Sequence, residues 1–155
     1  MLINEIISKL GLSNLKLVGP FVEAEFDAKQ ANRDAAWELY VELITRSAVQ
    51  ELPDDKGDNK EVLDSLYTLF PITREILKKY KSDCMDFSKL AIAVLNQILR
   101  PFLSKWHKKY LQMQKNNMED WGNFRDELAD LQNQLKEYTT LLSELAGGEE
   151  YSTIQ

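Results

Sequence analysis

The chain has 155 residues, 44% of them hydrophobic and 28% charged, with a formal net charge of −6. That is the balance of an ordinary globular protein, and a chain of this length buries roughly two-thirds of its unfolded surface. No apolar run approaches the ~18 residues of a membrane span. The lone Cys84 excludes an internal disulfide, so the expectation is a cytoplasmic protein without membrane contact.

The chain opens with a short helix over residues 1–11. Leu2, Ile3, Ile6, Ile7 and Leu10 share one face, and Gly11 is the stop. Glu5 and Lys9 interrupt the apolar pattern and no basic leader precedes it, so this segment reads as a helix and not as a signal peptide. The period then changes to two. "NLKLV" and "VEAEFD" alternate on either side of Gly19-Pro20, which predicts a small β-hairpin near residues 14–27.

Asp27 with Gln30 resembles a capping box opening a second helix that runs to about Val49. This helix is apolar over more than half its circumference and carries Asp34, Glu38 and Glu42 as an acidic stripe. Arg46 continues the stripe one turn on and is placed to pair with Glu42. "ELPDDKGDN" (51–59) is a polar loop, after which Asp58 and Glu61 open a third helix. Pro71 removes the bond to the Tyr67 carbonyl, so a kink or break is expected there. A fourth helix begins near Ser82 or Asp83 and continues through Pro101 to about Gln114.

The last helix carries the strongest pattern. Trp121, Phe124, Leu128, Leu131, Leu135, Tyr138, Leu142 and Leu145 recur at alternating spacings of three and four, a heptad seam that demands a partner helix. The favoured partner is the fourth helix of the same chain, folding back through the short connection after Lys115. A coiled-coil dimer is the other reading. Gly147 and Gly148 end the seam, and residues 149–155 read as a disordered tail. The fold class is therefore mainly α: a single-domain helical bundle over residues 1–148, with four principal helices within 28–148, the short N-terminal helix and the hairpin.

Charge is distributed unevenly. Residues 65–118 carry ten Lys/Arg against three acids, whereas residues 119–155 carry nine acids against two bases. No acid occurs between Phe87 and Met118. A basic middle can attract an external anion, or face the acidic segments of its own chain. The near-equal opposite balances favour the second. Lys78, Lys79, Lys105, Lys108 and Lys109 form the candidate basic surface. On a helical wheel Lys105 and Lys109 fall on one flank of the apolar sector, where they would meet the acidic last helix. Asn96, Arg100 and His107 gather on the other flank, which is the candidate binding site.

The chemistry available to this chain is narrow. One His and one Cys cannot complete a His/Cys zinc site or two Glu-x-x-His elements. The scattered glycines give neither a Walker loop nor a dinucleotide fingerprint. Cys84 reads as a small core residue, because Asp83 and Asp86 oppose a thiolate. No cofactor, metal or catalytic residue is assigned.

Three segments, "AAWELYVELITR" (35–46), "LDSLYTLFPITREIL" (63–77) and "AVLNQILRPFLSKWHKKY" (93–110), resemble a family of uncharacterised bacterial helical proteins. The likeness covers about half the chain, and a Leu-rich C-terminal helix ending in "LAG" adds to it. The resemblance implies a bacterial source and a helical domain. It carries no known activity and therefore no catalytic residues. A place in a conflict or antiphage system is a speculative extension of it.

The expected function is a non-enzymatic interaction module, a small subunit or adaptor that engages a larger protein or a second copy of itself. The first alternative is a nucleic-acid-binding accessory protein using the basic surface of residues 74–115. The second is a small enzyme using Glu38, Glu42, Arg100 and His107.

Overall fold

A computed structural model describes residues 2–9, 14–18, 21–25, 30–53 and 57–147. The Gly11 stop, the Gly19-Pro20 turn, the Asp27 cap and the 149–155 tail lie outside these residues. The fold is mainly helical. In chain order it comprises α1 (Leu2–Lys9), β1 (Asn14–Val18), β2 (Phe21–Glu25), α2 (Gln30–Ile44), α3 (Asn59–Tyr67), α4 (Leu69–Tyr80), α5 (Met85–Val94), α6 (Arg100–Lys115) and α7 (Phe124–Ala146). β1 and β2 pair antiparallel, with Asn14 opposite Glu25 and Val18 opposite Phe21. β2 lies against α1, and among the residues whose burial is described the core is formed by the helices and the turns that join them.

The helix boundaries follow from identifiable side chains. Asp58 accepts the Lys60 N–H at 2.8 Å and caps α3. The expected third helix is in fact two, separated at Thr68. The Thr68 hydroxyl donates to the Ser65 carbonyl, and its N–H is shared between the Asp64 and Ser65 carbonyls. The break falls three residues before Pro71. It turns an interior proline into a first-turn proline, where the missing N–H has no partner to lose.

The second helix stops at Ile44, five residues earlier than expected. The Thr45 hydroxyl donates back to the Val41 carbonyl at 2.7 Å, and the backbone leaves the helix through turns up to Val49. Ala48 and Val49 nevertheless stay buried. Arg46 keeps the predicted pair with Glu42 at 3.0 Å. It also donates to the Ser65 carbonyl and to the Ser65 and Thr68 hydroxyls, tying the end of α2 to the α3–α4 break.

Lys81, with φ 54°, ends α4, and a 3-10 turn over Lys81–Cys84 leads into α5. Cys84 is buried there, bonded to the Lys81 carbonyl. Residues 85–115 then run as one helix interrupted by a π-helical turn, Leu95–Leu99. Pro101 supplies the reason. Its ring would collide with the Gln97 carbonyl in a regular helix, and it has no N–H to donate there. The wider turn, in which the Arg100 N–H reaches back to the Leu95 carbonyl, relieves that contact.

The heptad seam requires two corrections. Trp121 precedes the helix, since Gly122 takes a positive φ of 52° and α7 begins at Phe124. The other seven seam residues are all buried. Their main partner is α2 and not the α5–α6 helix. Ala35 and Ala36 are fully buried small residues on α2, the helix that α7 packs against most closely, whereas the rings of Phe102 and Trp106 stand between α6 and Phe124 of α7. The seam is thus covered within the chain, which removes it as a coiled-coil dimer surface. Gln132 donates to the Ala48 carbonyl at 2.9 Å, and the Ile3 N–H donates to Gln134 Oε1 at 3.1 Å, fixing α7 to the α2 exit and to α1.

Candidate binding site

α6 has two faces with different neighbours. Trp106 is 1% exposed and packs edge-on against Phe124 at 5.0 Å between centroids. Trp121 stacks on both Trp106 and Tyr110, closing an aromatic cluster between α6 and α7. The Trp106 indole N–H donates to Glu127 Oε2 at 2.6 Å, and Lys105 bonds the other carboxylate oxygen. The Lys105 ammonium, followed by the indole donor, holds Glu127 below the usual carboxylate range against the opposing effect of burial. Lys109 sits over the Trp106 ring at 4.8 Å. On this side the expected meeting of basic and acidic flanks takes place at Lys105.

The opposite face exposes Arg100, Ser104 and His107, spaced four and three residues apart and therefore aligned. It looks toward the end of α3 and the first turns of α4. Two hollows lie between them and share Tyr67. One, of about 230 Å³, is lined by Tyr67, Phe70, Pro71, Arg74, Arg100, Leu103 and Ser104. The other, of about 350 Å³, is lined by Lys60, Leu63, Asp64, Tyr67, His107 and Tyr110. Buried Phe70 and Leu103 form the floor, and half-exposed Tyr67 stands between the hollows.

The electrostatics of this groove are one-sided. The Arg100 guanidinium lies 4.9 Å from the Phe70 ring centroid and that of Arg74 lies 5.9 Å from it. Arg100 donates through Nε and Nη2 to Asn96 Oδ1, at 3.2 and 3.1 Å, and its Nη1 has no hydrogen-bond partner among the described residues. Among the described residues no carboxylate pairs with Arg74 or Arg100. The one acid in the groove, Asp64, is engaged by Lys60, and that bond raises the Lys60 pKa. Lys60 also lies over the Tyr110 ring at 4.8 Å.

Of the sequence-derived flank, Asn96 and Arg100 are bonded to each other, and His107 lies beyond Tyr67, edge-on to its ring at 5.9 Å. The candidate basic surface does not form one patch. Lys79 is bonded to Glu38 at 3.0 Å, which raises its pKa, and Lys105 is bonded to Glu127. Lys78 and Lys108 point outward from different helices. Nor are Glu38, Glu42, Arg100 and His107 assembled. The two glutamates line a separate groove with Ile72, Glu75, Ile76 and Lys79 on another side of α4.

Sequence reasoning missed Tyr67, Phe70 and Arg74 as companions of Arg100. One signal was present. Neither Arg74 nor Arg100 has an acid three or four residues away on its own helix, whereas Arg46 has Glu42. Among the described residues no group of three or more His, Cys, Asp or Glu is placed to hold a metal ion, and no helix is long and apolar enough to cross a membrane. Comparison with protein-family models, curated proteins and solved structures finds no match for this chain.

Proposed function

We propose that this chain is a non-enzymatic protein-interaction module, a small subunit or adaptor of a larger bacterial assembly. One observation carries the reading. Among the described residues the arginines of the α3–α4/α6 groove have no carboxylate partner, whereas Lys79 and Lys105 each pair with an acid on another helix. A guanidinium held over an aromatic ring at a shallow, open groove suits recognition of a partner's surface better than enclosure of a small substrate.

The test is reconstitution. Crosslinking in cells that express the chain identifies a neighbour, and the two purified proteins are then mixed and analysed by light scattering. A complex of defined stoichiometry at micromolar concentration is the expected result. Failure of every crosslinked neighbour to reconstitute a complex overturns the proposal.

A further inference from the structure

We infer that the groove between the α3–α4 break and α6 is a docking site for an acidic peptide segment, in which two carboxylates flank an apolar side chain. The inference deepens the interaction-module reading and rests on it. Arg74 can offer a whole guanidinium fork, whereas Arg100 offers only the edge that Asn96 leaves over. Both cations are held near the Phe70 ring, one from α4 and one from α6, and both line the hollow whose apolar residues are Phe70, Pro71 and Leu103. A segment that lays an apolar residue on that floor brings its neighbouring carboxylates to the two arginines. Tyr67 and His107 then border the continuation of the peptide into the second hollow.

Charge complementarity sets the occupant. Residues 87–118 contain no acid, so nothing on α6 competes with an incoming carboxylate. The remainder of the chain is acidic enough to make the net charge −6, which repels a polyphosphate backbone. Tracking a nucleic acid also requires a run of available cations and stacking faces. Lys60, Lys79 and Lys105 are already committed to carboxylates, so no such run of cations is available. The groove therefore suits a short acidic-apolar-acidic element and not a long polyanion.

The test uses the full chain and a random library of 12-residue displayed peptides. Enrichment of peptides with an apolar residue between two Asp or Glu is the expected result. The best enriched peptide should shift the Arg74 and Arg100 Nε–Hε resonances, and the double variant Arg74→Gln/Arg100→Gln should bind it at least tenfold more weakly. The control pair Lys78→Gln/Lys108→Gln removes the same formal charge elsewhere and should change affinity less than twofold. Equal losses in the two double variants would show general attraction and overturn the inference. Retention of binding when the peptide's acids become amides, or tighter binding of a phosphoserine version or a single-stranded oligonucleotide, would do the same. If the arginine double variant still assembles with the reconstituted partner, the groove is not the docking site, while the interaction-module reading stands.

Discussion

The two faces of α6 are built from similar residues and end differently. Toward α7, Lys105 and Lys109 meet Glu127 and Trp106, and the aromatic rings close over one another. Toward α3 and α4, Arg100 and His107 meet Phe70 and Tyr67, the groove's one acid, Asp64, is held by Lys60, and among the described residues no carboxylate pairs with Arg74 or Arg100. Both faces place cations on aromatic rings, so residue type alone does not separate them. What separates them is whether the facing helix supplies a counter-charge. A cation that the fold has neutralised contributes to cohesion, and one left over is available to a partner.

Truncating Trp106 to Ala gives the largest expected effect. It removes the centre of the closed face and should cost about 3–5 kcal/mol of stability by chemical denaturation. A cost below 1 kcal/mol would mean that the aromatic cluster is not part of the cooperative core.

Glu127→Gln comes next. It keeps the shape but removes the charge that accepts from Lys105 and the indole, at an expected cost of about 1–2 kcal/mol at neutral pH. Because the folded-state pKa of Glu127 lies below its unfolded value of roughly 4.3, its contribution is fully present above that value. It is lost as the pH falls through the folded pKa. The variant should therefore lose less stability than the wild type over that acid interval, as followed by denaturation midpoints. Parallel acid limbs for the two proteins would contradict the assignment.

The open face should behave in the opposite way. Arg74→Gln/Arg100→Gln should change stability by no more than about 0.5 kcal/mol, as for surface groups without essential partners. A loss above 2 kcal/mol would make these arginines structural, and the contrast between the two faces would collapse. His107→Gln is expected to have the smallest effect, within about 0.5 kcal/mol, since its ring makes one edge contact with Tyr67 at the surface. The same denaturation series measures it.

The helices were largely legible because amphipathic spacing is a local property that any partner surface satisfies. The seam from Phe124 to Leu145 is an example: each of its residues is buried, and each was identifiable from spacing alone. Its partner was not. Charge balance pointed to α6, but the helix that α7 packs against most closely is α2. Pro71 and Pro101 could be read as disturbances of the helix. Whether a proline produces a break, as at Thr68, or a π turn, as at Leu95–Leu99, depends on what the flanking residues must pack against.

The candidate site was half legible. Arg100 and His107 could be placed on one flank of α6 from their spacing. Tyr67, Phe70 and Arg74 could not be joined to them, because contact across helices depends on how the elements rotate and cross. The sequence by itself determined that the chain is mainly helical, that Trp106 is a core residue and that α6 carries no acid. Only the tertiary structure decided which cations meet a carboxylate on another helix. That choice depends on distances of 3–4 Å between elements far apart in the chain, as between Lys79 and Glu38, and hydrophobic periodicity places elements without setting such distances.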